Sequence, residues 1–179
     1  HADEHELGVT SGNAFRGTAD SLHVDLAKNA QLDVHITNPV PWPRRSFGGS
    51  SVFQSVPGLN QYWHPWLLGG SAHGTAVVGD DTWELDGWSV YAEKNWGRGG
   101  FPRWWWWGQA DAFDGADVAV AFAGGEVTVG PLRVTRSALV VRLGTTVIRF
   151  GDPLLAPVRA DVGDGRWALR GRAVRWSVE

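Results

Sequence analysis

Cysteine and methionine are both absent from the 179 residues. The first absence excludes disulfides, thiolate nucleophiles and thiolate metal sites. No apolar run approaches the roughly 20 residues that a membrane-spanning helix needs. No sign of charge dominates: the formal net charge is −3, which gives no strong pull toward nucleic acid or an anionic bilayer. Lysine is nearly missing, appearing only as Lys28 and Lys94. Helical periodicity sustained over three turns is lacking as well. There is no Met at position 1, and the last residues read as a strand. The expectation is therefore a fragment or processed chain, cytoplasmic, with a leader upstream left open.

What is present is glycine, proline and tryptophan, at 24, 9 and 12 residues. Glycine and proline break the chain into short apolar stretches with period-2 alternation. Strands are expected over 32–37, 71–78, 82–85, 89–94, 103–111, 118–122, 126–129, 137–143, 145–150, 166–170 and 174–178. Turns are expected at Gly79-Asp80-Asp81, Ala123-Gly124-Gly125, Gly144 and Gly163-Asp164-Gly165. The spacing predicts an all-β chain built as an antiparallel barrel or sandwich. The proline-rich Asn38-Pro39-Val40-Pro41-Trp42-Pro43-Arg44-Arg45 can be neither a helix nor a strand interior. A domain boundary is placed near residue 56, with 1–56 the tail of one β unit and 57–179 a second, incomplete at its end.

The densest chemistry lies in Glu93-Lys94-Asn95-Trp96-Gly97, followed by Gly99-Gly100-Phe101-Pro102-Arg103 and then Trp104-Trp105-Trp106-Trp107-Gly108-Gln109. On a strand, residues two apart share a face. Arg103, Trp105, Trp107, Gln109 and Asp111 then mix aromatic and polar groups on one side, as a ligand cavity does. Trp104, Trp106, Gly108 and Ala110 form an apolar, packing side. The competing reading makes both sets core filling. Tyr91, Glu93 and Asn95 share a face, and Lys94 takes the other. A carboxylate shielded by tryptophans can act as a general acid at Glu93; a solvated turn with an ordinary salt bridge is the plainer alternative. In Asn60-Gln61-Tyr62-Trp63-His64-Pro65-Trp66, His64 is either a proton donor or a satisfied interface residue. His1, Asp3 and His5 have chelating spacing, but a frayed terminus accounts for them better, and no metal site is assigned. Zinc-protease, nucleophile-elbow and phosphate-loop patterns are absent.

The stretch from Tyr91 through Gly97, the Gly99-Gly100-Phe101-Pro102-Arg103 turn and the Trp105-x-Trp107-x-Gln109 strand resemble the signature of tocopherol cyclases and their bacterial relatives. Gly12-Asn13-x-Phe15, Trp63, Gly69-Gly70 and Phe113-x-Gly115 support the match, which runs from about residue 8 to about residue 130. Arg98 departs from the pattern as an insertion in the glycine turn, and Trp104 and Trp106 replace residues that differ in the plant enzymes. The resemblance implies two lipocalin-like antiparallel barrels. It also implies proton-initiated closure of a prenylated hydroquinone to a chromanol, without cofactor or metal. On that pattern Glu93 is the acid, with His64 as substitute. Trp96, Trp105 and Trp107 line the tube, with Tyr91 and Trp63 beside them. Asn95 and Gln109 hold head-group hydroxyls, and Lys94 compensates Glu93 or holds a phenolate. The partner is a hydrophobic small molecule or prenyl lipid, with peripheral membrane contact allowed. Two other classes share the residues: a non-catalytic lipocalin-like carrier, and a carbohydrate-binding sandwich using Trp platforms.

Overall fold

The computed structural model describes residues 8–27, 30–42, 49–111, 113–114, 117–152, 156–163, 165–173 and 177–178. The His1, Asp3 and His5 cluster, residues 43–48 of the proline-rich link and part of the expected 174–178 strand lie outside them. The described residues are all-β and antiparallel, in sheets of six, four, three and two strands, none closed on itself. No helix among the described residues is long and apolar enough to cross a membrane.

The chain groups into two compact units. The first takes His1–Val40 and Gly69–Tyr91. It holds the six-stranded sheet: β1 (Val9–Ser11), β2 (Phe15–Gly17), β3 (Ser21–Asp25), β4 (Ala30–Thr37), β6 (Ser71–Val78) and β7 (Asp81–Ser89), in that spatial order. Alternation in β4 explains its two faces. Val34 and Ile36 are buried, whereas Asp33 turns to the polar side and pairs with His23 at 3.0 Å. His73 continues that polar side, 3.1 Å from Asp86.

The second unit takes Pro41–Leu68 and Ala92–Glu179. Its four-stranded sheet runs β12 (Thr146–Phe150), β11 (Leu132–Leu143), β10 (Val118–Val129) and β9 (Trp105–Ala110). Strands β13 (Val158–Gly163), β14 (Arg166–Arg172) and β15 (Ser177–Val178) form the three-stranded sheet, and β5 (Tyr62–Leu67) pairs with β8 (Ala92–Trp96). The register aligns Phe122 with Leu139 and Leu139 with Phe150, and likewise Val120 with Val141 and Val141 with Ile148. These six residues share one face. They pack with Ala156, Val158, Leu169 and Ala173 into the apolar core, at about 1.5–3 kcal/mol per large side chain buried. The opposite face is buried too, at Ala119, Ala121, Val140 and Arg142. Arg142 Nη1 donates to the Asp117 carboxylate and the Gly144 carbonyl, which offsets part of the cost of burial, while its buried Nε has no hydrogen-bond partner among the described residues.

The expected turn at Ala123-Gly124-Gly125 does not exist. Strand β10 runs unbroken through it for 12 residues. The reason is steric: Gly124 pairs with Trp106, and a Cβ on Gly124 would run into the Trp106 ring. Gly108 does the same for Phe122 on the neighbouring pair. Each glycine leaves a slot that a cross-strand aromatic ring fills.

Candidate functional site

The site forms within the second unit, where the β5–β8 ribbon faces β9 and β10. Segment 49–61 makes one wall. It is fastened by Asn60, whose side-chain amide donates to the Glu126 carbonyl at 3.0 Å and accepts from the Thr128 N–H at 2.8 Å. The β9–β10 register ends at Gly125, with one further backbone bond from the Glu126 N–H to the Trp104 carbonyl. The Asn60 carboxamide therefore continues the ladder along an edge that would otherwise be open. Gly97 lies against the same turn, with the Asn60 carbonyl where its Cβ would be. A tight crossing at this point returns the chain toward β9.

The wall borders a partly open cavity of about 300 Å³. Phe53, Leu59, Trp63, Phe101, Trp105 and Trp107 give it an apolar lining, and Glu93 and Asn95 lie on the same surface. A mostly apolar hollow with a few convergent polar groups is the usual form of a small-molecule site.

Glu93 is the hub of its polar part. Its Oε2 accepts the Trp63 indole N–H at 2.6 Å and the Trp107 indole N–H at 2.6 Å. Its Oε1 accepts from the Asn95 carboxamide at 2.6 Å. Asn95 Oδ1 in turn accepts from Gln61 Nε2 at 3.0 Å. The chain of donors runs Gln61 to Asn95 to Glu93 and fixes which end of each amide points where. Pairing explains the convergence. Trp63 is opposite Asn95 and Pro65 opposite Glu93 in the β5–β8 ladder, so Trp63, Glu93 and Asn95 emerge on one face. Trp107 reaches the same carboxylate from β9.

The other sequence-expected residues go elsewhere. His64 pairs with Lys94, and Tyr62 with Trp96, on the opposite face of the ribbon. Lys94 Nζ stands 5.3 Å over the Trp96 ring, and Trp96 stacks on Tyr62 at 5.3 Å. Burial, and then the neighbouring Lys94 ammonium, push the His64 imidazole below its ordinary value of 6.5. Its Nδ1 is buried with no hydrogen-bond partner among the described residues. Gln109 is exposed, and Tyr91 belongs to the first unit. Neither Gln109, Tyr91, Trp96, Lys94 nor His64 lines the cavity.

Trp105 and Trp107 line it as the alternation implies, but Trp106 lines it as well. Three consecutive tryptophans therefore contribute, rather than alternate ones. Trp106 stacks on Trp104 at 5.5 Å over Gly124. Phe53, Leu59 and Gln61 were missed by sequence reasoning, because their role comes from the Asn60 fastening and no local pattern announces it. The one available signal was the polar pair Asn60-Gln61 just ahead of Trp63.

The tocopherol cyclase-like family matches the chain over residues 14–179. Over 130 residues the chain is 37% identical to a probable chloroplastic tocopherol cyclase of Oryza sativa subsp. japonica. Over the same length it is 36% identical to a chloroplastic tocopherol cyclase of Zea mays. Each comparison covers 70% of this chain and 27% of the relative, so the chain spans about a quarter of the length of these curated relatives. No solved structure matches.

Proposed function

The chain belongs to the tocopherol cyclase-like family, and on that premise we propose that it closes a prenylated hydroquinone, or a related isoprenoid lipid, by proton-initiated cyclisation. The observation that carries the reading is Glu93: a carboxyl group on the wall of an apolar, tryptophan-lined cavity, held by three N–H donors.

The reaction requires one acid, a water-poor hollow and aromatic faces. Glu93 gives its proton to the prenyl double bond. The carboxyl O–H bond breaks, the alkene π pair forms the new C–H bond, and a tertiary cation results. The faces of Trp105 and Trp107, both exposed in the structure, stabilise that cation by about 0.5–1 kcal/mol each, and by more where the bound lipid covers them. A phenol oxygen lone pair then forms the C–O bond of the chromanol ring. The phenol proton returns to the Glu93 carboxylate, so the acid is regenerated and the reaction is redox-neutral. We also take the open sheets to belong to lipocalin-like barrels in the whole protein, on the strength of the family alone.

The test is incubation of the intact protein with a short-chain prenyl hydroquinone. A cyclised product whose formation is lost in Glu93→Gln, with binding retained, supports the reading. Binding without conversion, in wild type and variant alike, turns it into that of a carrier.

A further inference from the structure

The floor of the cavity is bare where the sheet could carry side chains. Two cross-strand rows of β9, β10 and β11 lie on the face beneath it. One is Trp107, Ala123 and Ala138; the other, two residues along, is Trp105, Gly125 and Arg136. Each row has a large side chain on β9 and almost nothing in its middle. Residues further along the same face are covered: Ala119 and Ala121 of β10 and Val140 of β11 are buried. Ala123 and Ala138 are only half-buried. The packing stops at this opposed pair, and the cavity begins there. Two glycines extend the bare area. A Cβ on Gly125 would lie 2.7 Å from the Trp104 carbonyl oxygen, so no side chain fits without moving backbone. Gly151 also lines the cavity, and its Cβ would come within 3.2 Å of that of Ala138.

We propose that Ala123 and Ala138 seat the aromatic ring of the substrate and set how many substituents that ring can carry. The inference rests on the reading that a prenyl hydroquinone binds this cavity, and not on Glu93 as its acid. The bare area spans about 4.8 Å, one strand spacing, by about 6.8 Å, two residues along a strand. That is the footprint of a single six-membered ring. A flat ring resting on two methyl groups and glycine backbone gains dispersion contact across its whole face. Trp107 ends the Ala123 row and donates to Glu93, which puts the polar end of the cavity beside the seat.

The size of the cavity assigns the ring, and not the tail, to this floor. At about 300 Å³ it stands at the small end of ligand pockets, too small for a ring and a long isoprenoid chain together. Phe101 and Trp105 both line it, are 67% and 54% exposed, and hold their ring centroids 5.5 Å apart. This pair gives the tail an apolar path out of the open side. A flexible chain bends around an added methyl group on the floor, but a rigid ring cannot. Extra bulk at Ala123 or Ala138 therefore discriminates between ring substitution patterns.

The test measures the affinity of the intact protein, by quenching of tryptophan fluorescence, for two probes with the same short prenyl tail. One is a hydroquinone with no ring methyl groups, and the other is its trimethyl counterpart. Ala123→Val and Ala138→Val each introduce a residue that strands favour, so the sheet is kept. Each variant is expected to bind the trimethyl probe about 10- to 100-fold more weakly than wild type. Its affinity for the unmethylated probe should stay close to wild type. Lengthening the tail of both probes should leave the ratio of the two affinities unchanged. Equal losses for both probes in the folded variants, or no loss for either, overturn the proposal. A penalty that grows with tail length instead of ring methylation puts the tail on the floor and overturns it too. Failure of both probes to bind wild type fells the substrate reading, and the ring seat with it. Binding of both without turnover fells the cyclase reading alone, and the affinity ratio still decides the seat.

Discussion

Trp107 donates its indole N–H to Glu93 at 2.6 Å across a separation of 14 residues. The glycine-rich turn between them makes this possible. Gly99 and Gly100 both have positive φ, at +84° and +83°, a region that glycine enters without a steric penalty. The chain can therefore fold back from the end of β8 and present β9 to the same side of the ribbon. The family signature is in this sense a folding instruction: acid, turn, donor.

Substituting the acid gives the first prediction. Glu93→Gln keeps the size of the side chain and a carbonyl acceptor but removes the transferable proton. Turnover should fall on the order of 10²- to 10⁴-fold, while ligand affinity, read by quenching of tryptophan fluorescence, stays close to wild type.

Filling an aromatic slot gives the second. Gly108→Ala places a methyl group against the Phe122 ring in the core sheet. The expected loss is about 1–3 kcal/mol, as for other overpacked cores, measured as a lower urea midpoint with an unchanged slope. Wild-type stability would mean that the ring moves aside without penalty.

Asn60→Ala tests the fastening of the cavity wall. The variant deprives the Thr128 N–H of its acceptor and the Glu126 carbonyl of a donor. A destabilisation of about 1–3 kcal/mol is expected, together with weaker ligand binding because segment 49–61 supplies Phe53 and Leu59 to the lining.

The His64 imidazole, held below 6.5 chiefly by burial, sets a pH dependence. At pH values just under 6.5 the unfolded chain binds a proton that the folded chain does not. Stability should therefore decline as pH falls from about 6.5 toward the lower folded value. His64→Gln should flatten the unfolding midpoint over that window. Turnover in this variant should stay near wild type, because the side chain lies on the face of the ribbon away from Glu93.

Period-2 alternation made much of the strand content legible. The expected 71–78 strand coincides with β6, and 32–37, 103–111, 145–150 and 166–170 fall within a few residues of β4, β9, β12 and β14. Two short strands, 118–122 and 126–129, proved to be one, because glycine in β10 serves cross-strand rings and not a turn. Strand β5 was missed, since Pro65 argues against a strand; it is accommodated where the register shifts between Pro65 and Leu67. Pairing of β4 with β6 across the intervening 41–68 segment was also invisible, as no local pattern encodes a partner so distant in sequence. At the site, the motif identified Glu93, Asn95, Trp63, Trp105 and Trp107 as a group. It did not reveal that the tryptophans hydrogen-bond the acid, because the direction of an indole N–H depends on how two separate ladders face each other. The same ladders put His64 and Lys94 out of reach, although Lys94 adjoins Glu93 in the chain.

The most direct test of the central claim is mass spectrometry of the reaction of the intact protein with a short-chain prenyl hydroquinone in deuterated water. The account predicts a cyclised product carrying one non-exchangeable deuterium at the former alkene carbon, with the label absent in Glu93→Gln. Recovery of bound but unlabelled, uncyclised substrate from the wild-type protein would contradict it.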